Sequence, residues 1–199
     1  MKRSAESNPG GFSLLELTIV LAMVLVVSAV ALPNMMDAIY NLRLRAAANS
    51  VAGLLQQARF SAVRGNTACG VLSASLNGAR IFDVDLNRSN SYSATDPAVQ
   101  LGGNVQAALA AGPALPALEF PLQPTTSAPY FNAHGLPCFW SGSVCQAATQ
   151  SSGTSNISGY QLLLTDSRPV GASGWVWIVV TPAGRTRIYT WNGAYWDLE

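Results

Sequence analysis

Hydrophobic positions crowd the start of the chain. From Phe12 to Leu32 the sequence runs 21 residues with one charge, Glu16. At about 1.5 Å rise per residue a helix of that length measures ~31 Å, which matches a hydrocarbon core of about 30 Å. The pattern predicts a membrane-spanning helix over 12–33. Pro33 lacks a backbone donor and marks an expected helix break. Beyond it Leu44, Ala48, Val51, Leu55, Ala58 and Ala62 recur at spacings of four and three, while Arg43, Arg45, Asn49, Gln56, Gln57 and Arg59 fall elsewhere around the wheel. This is the signature of an amphipathic helix, expected over 34–66. Gly65-Asn66 supplies the stop, with Gly65 expected in the left-handed C-terminal conformation.

From residue 67 the period changes from helical to alternating. The run "ACGVLSASLNGARIFDVDL" holds Asn77-Gly78 between two extended stretches, a strong hairpin signal. Later, "GYQLLLTD" and "GWVWIVVTPAGRTRIYTWNGAYWDL" are rich in β-branched and aromatic residues divided by Ala183-Gly184 and Asn192-Gly193, so successive antiparallel strands are predicted. Between these blocks, residues 87–129 are rich in Ala, Gly, Pro, Ser and Asn and read as long surface loops, with one short strand at Leu118-Glu119-Phe120. The fold class is α+β: a long N-terminal helix packed against an antiparallel sheet in a β-rich head, 67–199.

Glu16 is the anomaly in this pattern. A carboxylate within a bilayer costs roughly 2.5–3.5 kcal/mol on insertion scales, so an intramembrane acid calls for a function. A bland account has it snorkelling to nearby headgroups. Lys2 and Arg3 precede the apolar run and predict a cytoplasmic N-terminus with the rest of the chain exported. Ala29-Val30-Ala31 imitates a signal-peptidase site. Gly10-Gly11 before the run, and a helical pattern continuing past Pro33, count against that reading.

The stretch "GGFSLLE", its apolar run and Pro33 together resemble the N-terminus of a type IV prepilin, with Ser13 where many relatives carry Thr. The resemblance implies a leader over residues 1–11, cleavage between Gly11 and Phe12 by a prepilin peptidase, and N-methylation of Phe12. It also implies a pairing of Glu16 with the N-terminal amine of a neighbouring subunit, which offsets desolvation and sets register. Downstream, "YFNAHGLP" and "GWVWIVVTPAGRTRIY" resemble the GspH/FimT-type minor pilins and pseudopilins. The implied partners are the peptidase, other pilin-like subunits and the inner membrane, with the head in the periplasm and, after assembly, in a filament or pilus tip.

Without residues 1–11 the chain carries nine arginines against nine acids and no lysine, which disfavours binding nucleic acid by a general basic surface. A local patch is a separate matter. Some members of the resembled family bind DNA through a Gly-Arg-x-Arg motif, and here Arg185 and Arg187 lie two apart, hence on one strand face, near Tyr189, Trp191 and Tyr195. The competing reading is an exposed strand with cross-strand aromatic pairs.

In an exported head, Cys138 and Cys145 are expected to form a local disulfide, with alternative pairings of Cys69 left open. His134 with these cysteines matches no tight zinc spacing, so no metal site is expected. Asp83 and Asp85 share a strand face, too few carboxylates for calcium, and read as solvated. No catalytic motif stands in the sequence; neither an enzyme nor a cofactor is expected. Three functions follow: a filament subunit of a type IV pilus or type II secretion system, a pilus-associated DNA receptor, or a membrane-anchored periplasmic domain that never assembles.

Overall fold

The computed structural model describes residues 11–108, 112–118, 120, 122–123, 129–141, 144–147, 149–151, 154–157, 159–168 and 174–199. Residues 1–10 of the expected leader lie outside them. The chain divides into two compact units, residues 1–39 and Tyr40–Glu199. One helix, α1 (Leu14–Arg64), contributes to both.

In the first unit α1 follows a short non-helical lead-in, Gly11–Ser13, and exposes its apolar side chains from Phe12 to Met36. Among the described residues it is the one helix long and apolar enough to cross a membrane. The break expected at Pro33 is not an interruption, because helical residues continue on both sides of it. A proline deletes one donor and one i to i−4 bond; the flanking turns keep theirs, so a bend is permitted where a stop is not required.

In the second unit the helix ends in a Schellman motif. Thr67 N–H donates to Ala62 C=O at 3.0 Å and Asn66 N–H to Val63 C=O at 3.2 Å. Asn66, not Gly65, takes the left-handed conformation, at φ 46°. Asparagine tolerates that region through its short polar side chain, and Gly65 ends the helix one residue earlier.

Among the described residues fourteen strands follow. One six-stranded sheet has the order β3 (Ala98–Gln100), β2 (Ala79–Asp85), β1 (Cys69–Leu76), β6 (Tyr130–Phe131), β7 (Pro137–Ser141), β8 (Val144–Ala147). The other runs β14 (Trp196–Leu198), β13 (Thr186–Trp191), β12 (Trp175–Val180), β11 (Gly159–Asp166), β4 (Val105–Ala108), and β5 (Leu122–Gln123) pairs with β11. All these pairings are antiparallel except β5 with β11. A separate pair joins β9 (Thr149–Ser151) and β10 (Thr154–Ile157). Thus 87–129 is not only loop: β3, β4 and β5 fall within it. Of the strand expected at 118–120, Glu119 lies outside the described residues, and Leu118 and Phe120 carry no strand; the pairing segment is Leu122–Gln123.

The core lies between the helix and both sheets. Leu44, Ala48, Val51, Leu55, Ala58 and Ala62, the stripe read from spacing, are all buried, joined by Leu54. Against them pack Val71, Val84 and Phe131 of the first sheet and Leu164, Val176 and Ile178 of the second. Burying each large aliphatic contributes about 1.5–3 kcal/mol, enough in sum to hold this half of the helix on the head. Tyr160, from β11, donates its hydroxyl to the Cys138 carbonyl at 2.6 Å and so ties the second sheet to the first.

Candidate functional site

Gly11 and Phe12 occupy the lead-in to α1, Phe12 being 84 % exposed. Ser13 is the residue before the helix, and its carbonyl accepts the first helical bond, from Leu17 N–H at 3.1 Å. Glu16 then stands third in the helix, in its first turn. Ser-x-x-Glu at those positions is the capping-box pattern, and an acid there also complements the positive helix terminus. The sequence readings of Glu16, an assembly charge or a snorkelling carboxylate, did not include its place in the first helical turn three residues after Ser13.

Arg185 and Arg187 belong to the other unit, beside a turn joining β12 to β13. Thr181 builds that turn: its hydroxyl accepts from Arg185 N–H at 3.1 Å, and its N–H donates to Arg185 C=O at 2.8 Å. Both arginines are exposed and make no ion pair among the described residues. Arg187 shares a strand face with Tyr189 and Trp191. The aromatics form the expected cross-strand pairs: Trp177 with Tyr189, centroids 5.2 Å apart, and Trp191 with Trp196, 5.4 Å apart. Tyr195 sits in the β13–β14 turn, 63 % exposed.

The glycine of "GRTR" has a structural duty that the sequence did not disclose. Gly184 has φ +75°, and a Cβ there would meet the carbonyl oxygen of Gly135, which itself has φ +72° in the β6–β7 turn. Arg59 of the helix lies against both turns and donates to Gly184 C=O at 3.0 Å. The β6–β7 turn is closed by Asn132, whose Oδ1 accepts from His134 N–H at 2.9 Å and Leu136 N–H at 3.0 Å. His134 is exposed.

Cys138 and Cys145 are joined in a disulfide with Cα atoms 5.5 Å apart. Cys69 is free and buried. It packs in the core beneath the helix, whereas Cys138 packs with Leu72 and Tyr130 in a separate cluster; adjacent β1 residues point to opposite faces, which closes the alternative pairings. Burial first, then the charges of Asp85 and Asp96, pushes the Cys69 thiol up to about 11.

Asp83 and Asp85 are not solvated; they are 0 % and 1 % exposed. The segment 86–97 folds back over them. Asp85 accepts from the amides of Ser89 at 2.9 Å and Asn90 at 3.0 Å. Asp83 has no hydrogen-bond partner of normal geometry for either oxygen. Burial, followed by the charges of Asp85 and Asp96, pushes its carboxyl above the usual range against the lowering influence of the Ser93 amide. Among the described residues no three acidic, histidine or cysteine groups converge as metal ligands.

The family model for type II transport protein GspH matches residues 47–184, from the helix through the β6–β7 turn to Gly184. No curated protein and no solved structure matches the chain. The matched span covers more than half of the sequence and most of the head, and the helix with its two antiparallel sheets is a pilin-like α+β arrangement. Such a subunit acts by association with other pilin-like subunits and not as an enzyme. The chain belongs to the GspH family, whose members are pseudopilin or minor-pilin subunits of type II secretion systems or type IV pili.

Proposed function

We propose that this chain is a filament subunit cut between Gly11 and Phe12 by a prepilin peptidase and methylated at Phe12. In this reading residues 1–11 are the leader, 12–33 the membrane and assembly helix, 34–66 its amphipathic continuation and 67–199 the head. Before assembly the chain is single-pass in the inner membrane, N-terminus cytoplasmic and head periplasmic. The observation that supports it most is the chemistry of the helix start: a long exposed apolar run with one acid, Glu16, in its first turn. An acid at that depth is offset by the ammonium of an adjacent subunit's Phe12, a charge-assisted pair that fixes axial register. The N-terminal peptide of the protein recovered from membranes with an active peptidase tests the processing; methylated Phe12 is expected, and Met1 would overturn it. Glu16→Ala tests the pair. Cleavage should persist while filament incorporation is lost, and normal incorporation removes this role for Glu16.

DNA binding at Arg185 and Arg187 is the second reading, favoured by two exposed cations beside paired, mutually tilted aromatics. It requires salt-sensitive retention of DNA that disappears when both are replaced by Ala; equal retention by that variant eliminates it. A chain that keeps its N-terminus and never co-assembles is the third outcome.

A further inference from the structure

The second sheet has a face turned away from the helix, and it is aromatic. Leu164, Val176 and Ile178 point into the core, so Leu163, Trp175 and Trp177 point to the opposite side, with Tyr189 across the ladder from Trp177. Trp191 of β13 and its partner Trp196 of β14 share that side. Trp177 is fully buried there, its ring centroid 5.2 Å from that of Tyr189 and 6.0 Å from that of Trp196. Rings gathered on the outside of a sheet mark a surface that is covered or that covers something.

Part of the cover is the chain's own segment 112–118, between β4 and β5, which reads GPALPAL. It is neither helix nor strand. Pro113 and Pro116 form the P-x-x-P spacing and preset their φ angles, which favours polyproline II. At Gly112 the backbone lies so close to the face that a Cβ would meet Leu163 Cδ2 and the Trp175 ring. Two residues on, the Trp196 indole N–H donates to the Ala114 carbonyl at 2.9 Å. Aromatic-lined grooves bind proline-rich peptides in this way, because a polyproline II backbone keeps its carbonyls free of internal partners and loses little entropy when it docks.

The face has more hydrogen-bonding capacity than this segment uses. Trp177 Nε1 and, on the same side, Gln161 Oε1 are shut away from solvent without a partner. Pro113 and Pro116 have no N–H to offer the Gln161 oxygen. We propose that this face is a binding groove for an extended, proline-containing peptide of another protein, held at rest by the chain's own 112–118. The incoming peptide displaces that segment, presents a carbonyl to the Trp196 indole and, through a residue other than proline, an N–H to Gln161. The contacts are uncharged, so binding here is independent of the arginine pair and of filament assembly.

The probe is the synthetic peptide GPALPAL with both ends blocked, titrated into the full-length chain in detergent while the indole N–H resonances of its tryptophans are followed. Trp196→Phe identifies the resonance of Trp196. A saturable shift of that resonance is expected, weak in the wild-type chain because its own segment competes. Replacing Pro113 and Pro116 together by Ser frees the φ angles of the segment and should tighten probe binding about ten-fold, since an occupied groove lowers apparent affinity by the fraction that is free. Gly112→Val pushes the segment off Leu163 and Trp175 and should give the same tightening should the proline variant fail to accumulate. Trp196→Phe should weaken binding several-fold by removing the donor, and added salt should leave it unchanged. The absence of a saturable shift, equal binding of the proline-free peptide GSALSAL, or binding indifferent to Trp196→Phe overturns the proposal. So does a Trp196 resonance that responds to single-stranded DNA and not to the peptide. None of these readouts involves cleavage or filament incorporation, so failure here leaves the assembly reading standing.

Discussion

Arg59 and Gly184 stand 125 residues apart in sequence, yet the guanidinium of the first donates a 3.0 Å hydrogen bond to the carbonyl of the second. The helix thereby grips the β12–β13 turn of one sheet, and through the contact of Arg59 with Gly135 it also meets the β6–β7 turn of the other. Gly184→Ala forces a side chain onto a left-handed φ and toward the Gly135 carbonyl. Strain of this kind costs about 1–3 kcal/mol, and the steric conflict adds to it. Arg59→Ala removes one charged hydrogen bond, worth about 1.5–3 kcal/mol. Denaturant unfolding of the full-length chain in detergent should show both losses, with the double variant losing less than their sum because the two share a contact.

Asp83 gives the head a pH dependence of determinate sign. Its folded pKa is raised, so the folded state holds the proton more tightly than the unfolded state does. The contribution of Asp83 to stability is therefore fully present below the unfolded carboxylate value of about 3.9 and is lost as pH climbs from there through the raised folded value. Asp83→Asn removes the buried charge at nearly constant volume. It should raise the unfolding temperature at neutral pH, and the gain should shrink as pH is lowered toward 4. A constant gain at both ends would assign the effect to packing instead.

Cys69 should be chemically silent in the folded head. A thiol raised to about 11 is thiolate in only ~0.1 % of molecules at pH 8, and it is buried besides. Iodoacetamide at that pH should add nothing to the native protein, one group after unfolding without reductant, and three after unfolding with it. Two adducts on the unfolded, unreduced chain would be incompatible with one bridge and one free thiol.

What the sequence disclosed was what short-range chemistry decides. The turn at Asn77-Gly78 was legible because both residues take positive φ, 51° and 80°, as a tight hairpin requires. The buried stripe from Leu44 to Ala62 was legible because period alone defines a helix face. β3, β4 and β5 were not, because two to four residues in an Ala- and Pro-rich stretch carry no alternation, and their strand character comes from the neighbours they pair with. Asp83 was misread for a related reason: a carboxylate on a strand looks solvated until the segment 86–97 is known to cover it. At the candidate sites the exposed placement of Arg185 and Arg187 was anticipated, whereas the partnership of Arg59 with Gly184 depends on a contact no local window contains.

The Arg59 clamp also sets an order of events. A chain made from its N-terminus onward delivers Arg59 125 residues before Gly184. Until that turn is made, the helix has no carbonyl there to hold, and β12 lacks the strand β13 that pairs along its other edge. Long-range closures of this kind are slow, and unpaired strand edges are hazardous while they last. A chain interrupted between the two residues would therefore carry a finished helix and an unfinished second sheet.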